Sequence, residues 1–80
     1  GLGIPAEPLF RSMIYVIRTV TAFARELGFV PMALTFSPVK GPEGNIEYLI
    51  RLTKDKGQQD TVTEERLVTV VAEAHGALDK

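Results

Sequence analysis

Glu47 is the side chain whose type and setting best suit chemistry. It lies in "SPVKGPEGNIEYLIRL", Ser37 to Leu52, where two prolines and two glycines directly precede a run that alternates like a β-strand. In that run Ile46, Tyr48, Ile50 and Leu52 take one face, and Glu47, Leu49, Arg51 and Thr53 the other. A carboxylate at the start of a strand, partly buried beside Leu49, is the kind of group that acts as acid or base. The plainer reading is a strand-end carboxylate in water. Spacing fixes no second carboxylate, histidine or lysine beside it, and Arg51 lies about 13 Å further along the same face at strand rise. Glu47 is therefore at most one member of a site.

The connection before it, Ser37 to Asn45, is too long for a two-residue hairpin turn and too rich in special backbone residues for an idle linker. Pro38 and Pro42 fix φ, while Gly41 and Gly44 permit positive φ or close approach of another group. The functional reading is a preorganised loop that sets Asn45 and Glu47 at the mouth of a site. The alternative is a rigid turn that only sets strand register.

Other candidates are weaker. Arg11, Arg18 and Arg25 recur every seven residues and form a stripe on one helix, which suits either phosphate tracking or a solvated face beside Glu26. Lys40 and "KDK", Lys54 to Lys56, add a basic rim interrupted by Glu43 and Asp55. His75 falls in the last turn of a helix, where capping is its natural role. "GLGIP" at Gly1 lacks the preceding strand and third glycine of a dinucleotide fingerprint.

The elements that position these residues follow from periodicity. Phe10, Met13, Ile14, Ile17, Val20, Ala24 and Leu27 recur at three and four, an amphipathic helix with Pro8 in its first turn and Gly28 as its stop. From Phe29 to Phe36 the period becomes two, with Val30, Met32, Leu34 and Phe36 on one face and Pro31 arguing for a strand start or edge. Asn45 to Lys54 is the second strand. "DKGQQD", Asp55 to Asp60, reads as a mobile connection. Thr61 and Glu64 have capping-box spacing, and Leu67, Val70, Val71, Ala74 and Leu78 form the stripe of a closing helix. The predicted fold is α/β, in the order helix, strand, strand, helix, over residues 1–80 as a single unit.

Bulk properties bound the rest. Eighty residues bury only about 60% of the surface of the unfolded chain, so the core is thin. Nine Lys+Arg against ten Asp+Glu give a net charge of -1, which selects no partner. Without cysteine, and with one histidine, there is little material for a metal site. No apolar run approaches the roughly 20 residues needed to span a bilayer, and no signal peptide is visible. A cytoplasmic protein without membrane contact is expected.

"ELGFVPMALTFSPVKGPEGNIEYLIRL", Glu26 to Leu52, resembles the C-terminal signature of the hemolysin A (TlyA) family of FtsJ-like RNA methyltransferases, in which a Gly-Phe strand leads into Ser-Pro-x-x-Gly-Pro-x-Gly-Asn-x-Glu-Tyr. "VVAEAH", Val70 to His75, fits the same family's flank more loosely. The resemblance implies the C-terminal end of a Rossmann-like domain that uses S-adenosylmethionine to methylate a ribose 2'-hydroxyl of ribosomal RNA. It also implies a Lys-Asp-Lys-Glu tetrad whose final glutamate corresponds to Glu47, with Ser37, Lys40, Gly44 and Asn45 at the substrate-facing loop. The other tetrad members and the cofactor loop would lie upstream of Gly1, so neither cofactor binding nor activity is expected of these 80 residues alone. A different reading makes the chain an independent α/β interaction module. In either case an unpaired edge on the second strand predicts a homodimer of the isolated chain.

Overall fold

The computed structural model describes residues 6–78. The predicted order holds: α1 (Ala6–Glu26), β1 (Val30–Phe36), β2 (Tyr48–Thr53) and α2 (Glu64–Leu78), with a short 3-10 turn (Pro42–Gly44) inside the β1–β2 connection. The weak "GLGIP" match lies outside the described residues.

α1 stops at Gly28 for a backbone reason. Gly28 takes φ +93°, its N–H donates to the Arg25 carbonyl at 3.0 Å, and the Phe29 N–H donates to the Ala24 carbonyl at 3.0 Å. These two bonds close a Schellman motif, in which glycine avoids the Cβ penalty. The chain then turns into β1, which pairs antiparallel with β2: Leu34 opposite Ile50, Phe36 opposite Tyr48, and Pro31 opposite Leu52.

The register slips between Pro31 and Ala33, so β1 carries a bulge there. Simple alternation puts Val30, Met32, Leu34 and Phe36 on one face, but the buried residues are Pro31 and Leu34, three apart. A bulge inserts the residue that shifts the phase. The carbonyls left by this irregularity are taken up by Thr61, whose N–H donates to the Pro31 carbonyl at 3.2 Å and whose hydroxyl donates to the Met32 carbonyl at 2.5 Å. Thr61 is thus a clasp on β1 and not the cap of α2. The cap is Thr63, whose hydroxyl accepts from the Arg66 N–H at 3.1 Å.

Ile14, Ile17, Leu34, Val62, Leu67, Val70 and Val71 form the core, with Phe36, Tyr48 and Ile50 packed against it. Among the described residues the one buried polar side chain, Thr21, donates its hydroxyl to the Arg18 carbonyl at 3.0 Å. Burial of α1 follows only part of its expected apolar face. Ile14, Ile17 and Ala24 are inside, whereas Leu9, Val16, Val20, Phe23 and Leu27 are each about half exposed and form a second stripe. α1 packs its buried side against α2 and β1, and the second stripe is a further apolar face that the described residues leave about half exposed.

The connection Asp55 to Asp60, though exposed over most of its length, carries local hydrogen bonds. The Asp55 carboxylate accepts from the Gly57 N–H at 2.9 Å, the Asp55 carbonyl accepts from the Gln58 N–H at 3.1 Å, and Lys54 lies over the Phe29 ring at 5.2 Å from its centroid. Asx turns of this kind give a polar segment a fixed course.

Candidate active-site hairpin

The β1–β2 connection is built by four backbone hydrogen bonds. Ser37 N–H donates to the Glu47 carbonyl at 2.8 Å and extends the ladder by one step past Tyr48. Gly41 N–H donates to the Asn45 carbonyl at 2.7 Å, Gly44 N–H to the Gly41 carbonyl at 3.1 Å, and Asn45 N–H to the Pro42 carbonyl at 3.3 Å. Glu43 and Gly44 take φ +61° and +77°. Two consecutive positive φ values make a tight turn that reverses the chain. The positive φ at Gly44 agrees with the Gly-Asn step of the sequence, and the one at Glu43 had no sequence signal.

These bonds bring most of the predicted site residues onto one loop. Ser37 is half-buried and its hydroxyl accepts from the Val39 N–H at 3.3 Å, a local turn, so its side chain shapes the start of the loop. Lys40, Gly44 and Asn45 are exposed. Glu47 is exposed as well, just outside β2, which begins at Tyr48 and not at Asn45. The partly buried carboxylate is thereby replaced by one in water whose backbone is fixed. Its carboxyl group lies against Gly41: a Cβ on that glycine would meet Glu47 Cδ at 2.7 Å and Cγ and Oε2 at 3.0 Å.

Open space surrounds the position a Gly44 Cβ would take, so its glycine is required by φ alone. Gly44→Val is expected to cost on the order of 1 kcal/mol or more, and Gly44→Asn much less, because asparagine tolerates the left-handed region. Chemical denaturation of the two variants checks this, with equal midpoints counting against it.

The arginine stripe has a structural occupation. Arg18 is paired with both carboxylate oxygens of Glu64, through Nε at 2.9 Å to Oε1 and through Nη2 to Oε2. Arg25 Nε donates to Asp60 Oδ2 at 2.6 Å, and its Nη2 donates to the Val62 carbonyl at 2.7 Å. Two of the three arginines therefore tie α1 to the entry of α2 while their side chains stay partly exposed. The hydrogen bond from Arg25 holds the Asp60 carboxyl below its usual value against a smaller opposing effect of burial, and Arg18 does the same to Glu64. Both groups are depressed in the folded state, so their contribution is present above the unfolded carboxylate range and is lost as pH falls through the lower folded values. Stability is expected to decline below about pH 4. Arg25→Ala should flatten that decline and cost about 1 kcal/mol at neutral pH, because the Val62 carbonyl also loses its donor. Thermal melts from pH 2 to pH 7 measure both effects.

His75 lies in the last turn of α2, with its ring edge-on to Phe10 at 5.9 Å between centroids, a packing contact. Among the described residues no group of three or more His, Asp or Glu side chains could hold a metal ion. No helix among them is long and apolar enough to cross a membrane. The Gly41–Gly44 turn joins two antiparallel strands and does not lead from strand to helix, so it is not a cofactor cradle of the Rossmann kind.

Comparison with known proteins bears on this hairpin directly. The chain is 37% identical over 65 residues to "Putative rRNA methyltransferase YqxC" of Bacillus subtilis (strain 168), a match covering 79% of the chain and 23% of the relative. A span of that size takes in the middle of the chain, Glu47 included, wherever it starts. A solved structure, "Putative hemolysin from Streptococcus thermophilus", superposes with a TM-score of 0.77 at 40% identity, over 88% of the chain and 25% of that protein. The chain is similar in sequence and in fold to a segment of these two proteins, which fits a hemolysin A-type C-terminal segment. It spans about a quarter of the length of these two relatives. No family model matches the chain. The helix-strand-strand-helix order is thus an α/β arrangement that the chain shares with a segment of that putative hemolysin.

Proposed function

We propose that the chain serves as the C-terminal segment of an S-adenosylmethionine-dependent methyltransferase that modifies ribose 2'-hydroxyls of ribosomal RNA in the cytoplasm. The observation that carries this reading is the 37% identity, across the hairpin, to a protein named as an rRNA methyltransferase. The cofactor supplies the methyl group, and its binding loop belongs to the part of the domain that these 80 residues do not include. Glu47 is the contribution of this chain. Held at a strand entry by the Ser37 hydrogen bond, its carboxylate would accept from a catalytic lysine and keep that lysine in line with the ribose hydroxyl. Lys40, Gly44 and Asn45 would form the RNA-facing rim of the same loop. The exposed second stripe of α1 supports the reading, because the rest of such a domain provides the neighbour that covers it.

The test is a graft in which this chain replaces the matched segment of the Bacillus subtilis relative. Methyl transfer to ribosomal RNA, followed by nucleoside digestion, should yield 2'-O-methyl product. An inactive graft beside an active parent, or methylation on a base, would defeat the proposal. The isolated chain should give no heat on titration with S-adenosylmethionine, and micromolar binding would place the cofactor loop within these 80 residues.

The open edge of β2 favours a second reading, an interaction module that dimerises through that strand. Among the described residues β2 pairs with β1 alone. Homodimerisation of the isolated chain is compatible with both readings, since it occupies a surface that the remainder of the domain would otherwise cover.

A further inference from the structure

We propose that Gly41 is a positioning residue for Glu47: the absence of its Cβ gives the Glu47 carboxyl group the place it occupies. The inference rests on the catalytic reading of Glu47 and extends it to a residue whose own chemistry is nil. Gly41 sits at φ -77° and ψ -166°, extended backbone that any residue can adopt. Its glycine is therefore not explained by conformation, unlike Gly44 at φ +77°. Space explains it instead. A Cβ at Gly41 would stand 2.7 Å from Glu47 Cδ, closer than real Cβ contacts allow, and a tight 3.0 Å from Cγ and Oε2.

The backbone cannot easily yield at either side of this contact. Gly41 is held through its N–H to the Asn45 carbonyl at 2.7 Å, and Glu47 through its carbonyl to the Ser37 N–H at 2.8 Å. What can yield is the Glu47 side chain, which is exposed and free to rotate into solvent. An added methyl group would thus leave the fold intact and move the carboxylate. For a group that must align a lysine and a hydroxyl, a displacement near 1 Å is enough to cost about 10²-fold in rate.

The experiment has two arms. In the 80-residue chain, NMR should show a contact between the Glu47 γ-protons and the Gly41 α-protons, and Gly41→Ala should abolish it while leaving the melting temperature within about 2 °C, a surface-sized effect. In the graft, Gly41→Ala should lower kcat by at least about tenfold with an unchanged KM for S-adenosylmethionine, since the cofactor site is elsewhere. No Glu47–Gly41 contact in the parent chain overturns the inference. So does a Gly41→Ala graft with normal kcat beside an inactive Glu47→Ala graft. If both grafts keep normal kcat while the NMR contact is present, the catalytic reading of Glu47 has failed, and the positioning role falls with it.

Discussion

Glu47→Ala in the graft is expected to lower the methylation rate by about 10²-fold, the usual worth of a positioned acid-base group. Stability should hardly change. The side chain is exposed, makes no core contact, and leaves the hairpin fixed by main-chain bonds that alanine retains: Ser37 to Glu47, and Gly41 to Asn45. Loss of rate with unchanged melting therefore separates a chemical role from a structural one. Glu47→Gln sharpens the assignment. It keeps the length and one acceptor oxygen but loses the charge, so a residue that holds a lysine ammonium should lose nearly as much activity as with alanine. If Glu47→Ala stays within about threefold of the parent, the glutamate is outside the reaction and only sets the hairpin.

The sequence makes the elements legible because each is written in its own period. α1 and α2 repeat at three and four, β2 alternates, and Gly28 marks the stop of α1 where the Schellman bonds form. What it hides depends on contacts between distant residues. The β1 bulge is invisible because Val30, Met32, Leu34 and Phe36 alternate well by themselves, and only the pairing with β2 and the bonds from Thr61 reveal the slip. Thr61 resembles a helix cap by spacing, but its hydroxyl is taken by Met32, 29 residues away. Arg18 and Arg25 look like a stripe awaiting phosphates until Glu64 and Asp60 arrive from the other end of the chain. At the candidate site, the loop and Glu47 are marked by the density of proline and glycine. The different reasons for its two glycines are not, since φ at Gly44 and crowding at Gly41 leave the same letter.

The isolated chain is expected to run as a two-fold dimer, through association at the open edge of β2. Among the described residues that edge pairs with no further strand, and it lies beside an apolar groove of about 230 Å³, lined by Met13, Val16, Val20, Ile46, Leu49 and Ile50. The opposite strand is better protected, because Thr61 takes up the Pro31 and Met32 carbonyls. A two-stranded sheet is marginal in water, and an exposed apolar edge recruits another strand. Two copies of β2 running antiparallel would give a continuous four-stranded sheet flanked by four helices, and the two-fold axis closes the assembly at two chains. Size exclusion with light scattering should report twice the monomer mass, and a monomer at tens of micromolar rejects the dimer. N-methylation of Ile50 in a chemically synthesised chain then identifies the contact. The bond from Ser37 N–H to the Glu47 carbonyl fixes the phase of the ladder: Leu49, opposite Thr35, donates to β1, and the Ile50 N–H faces the open edge, where a methyl group blocks strand addition and leaves every side chain in place. Helical circular dichroism retained with loss of the dimer means that the strands pair. A dimer that survives the N-methyl group is held instead by the outer stripe of α1, and Val20→Glu should dissociate it.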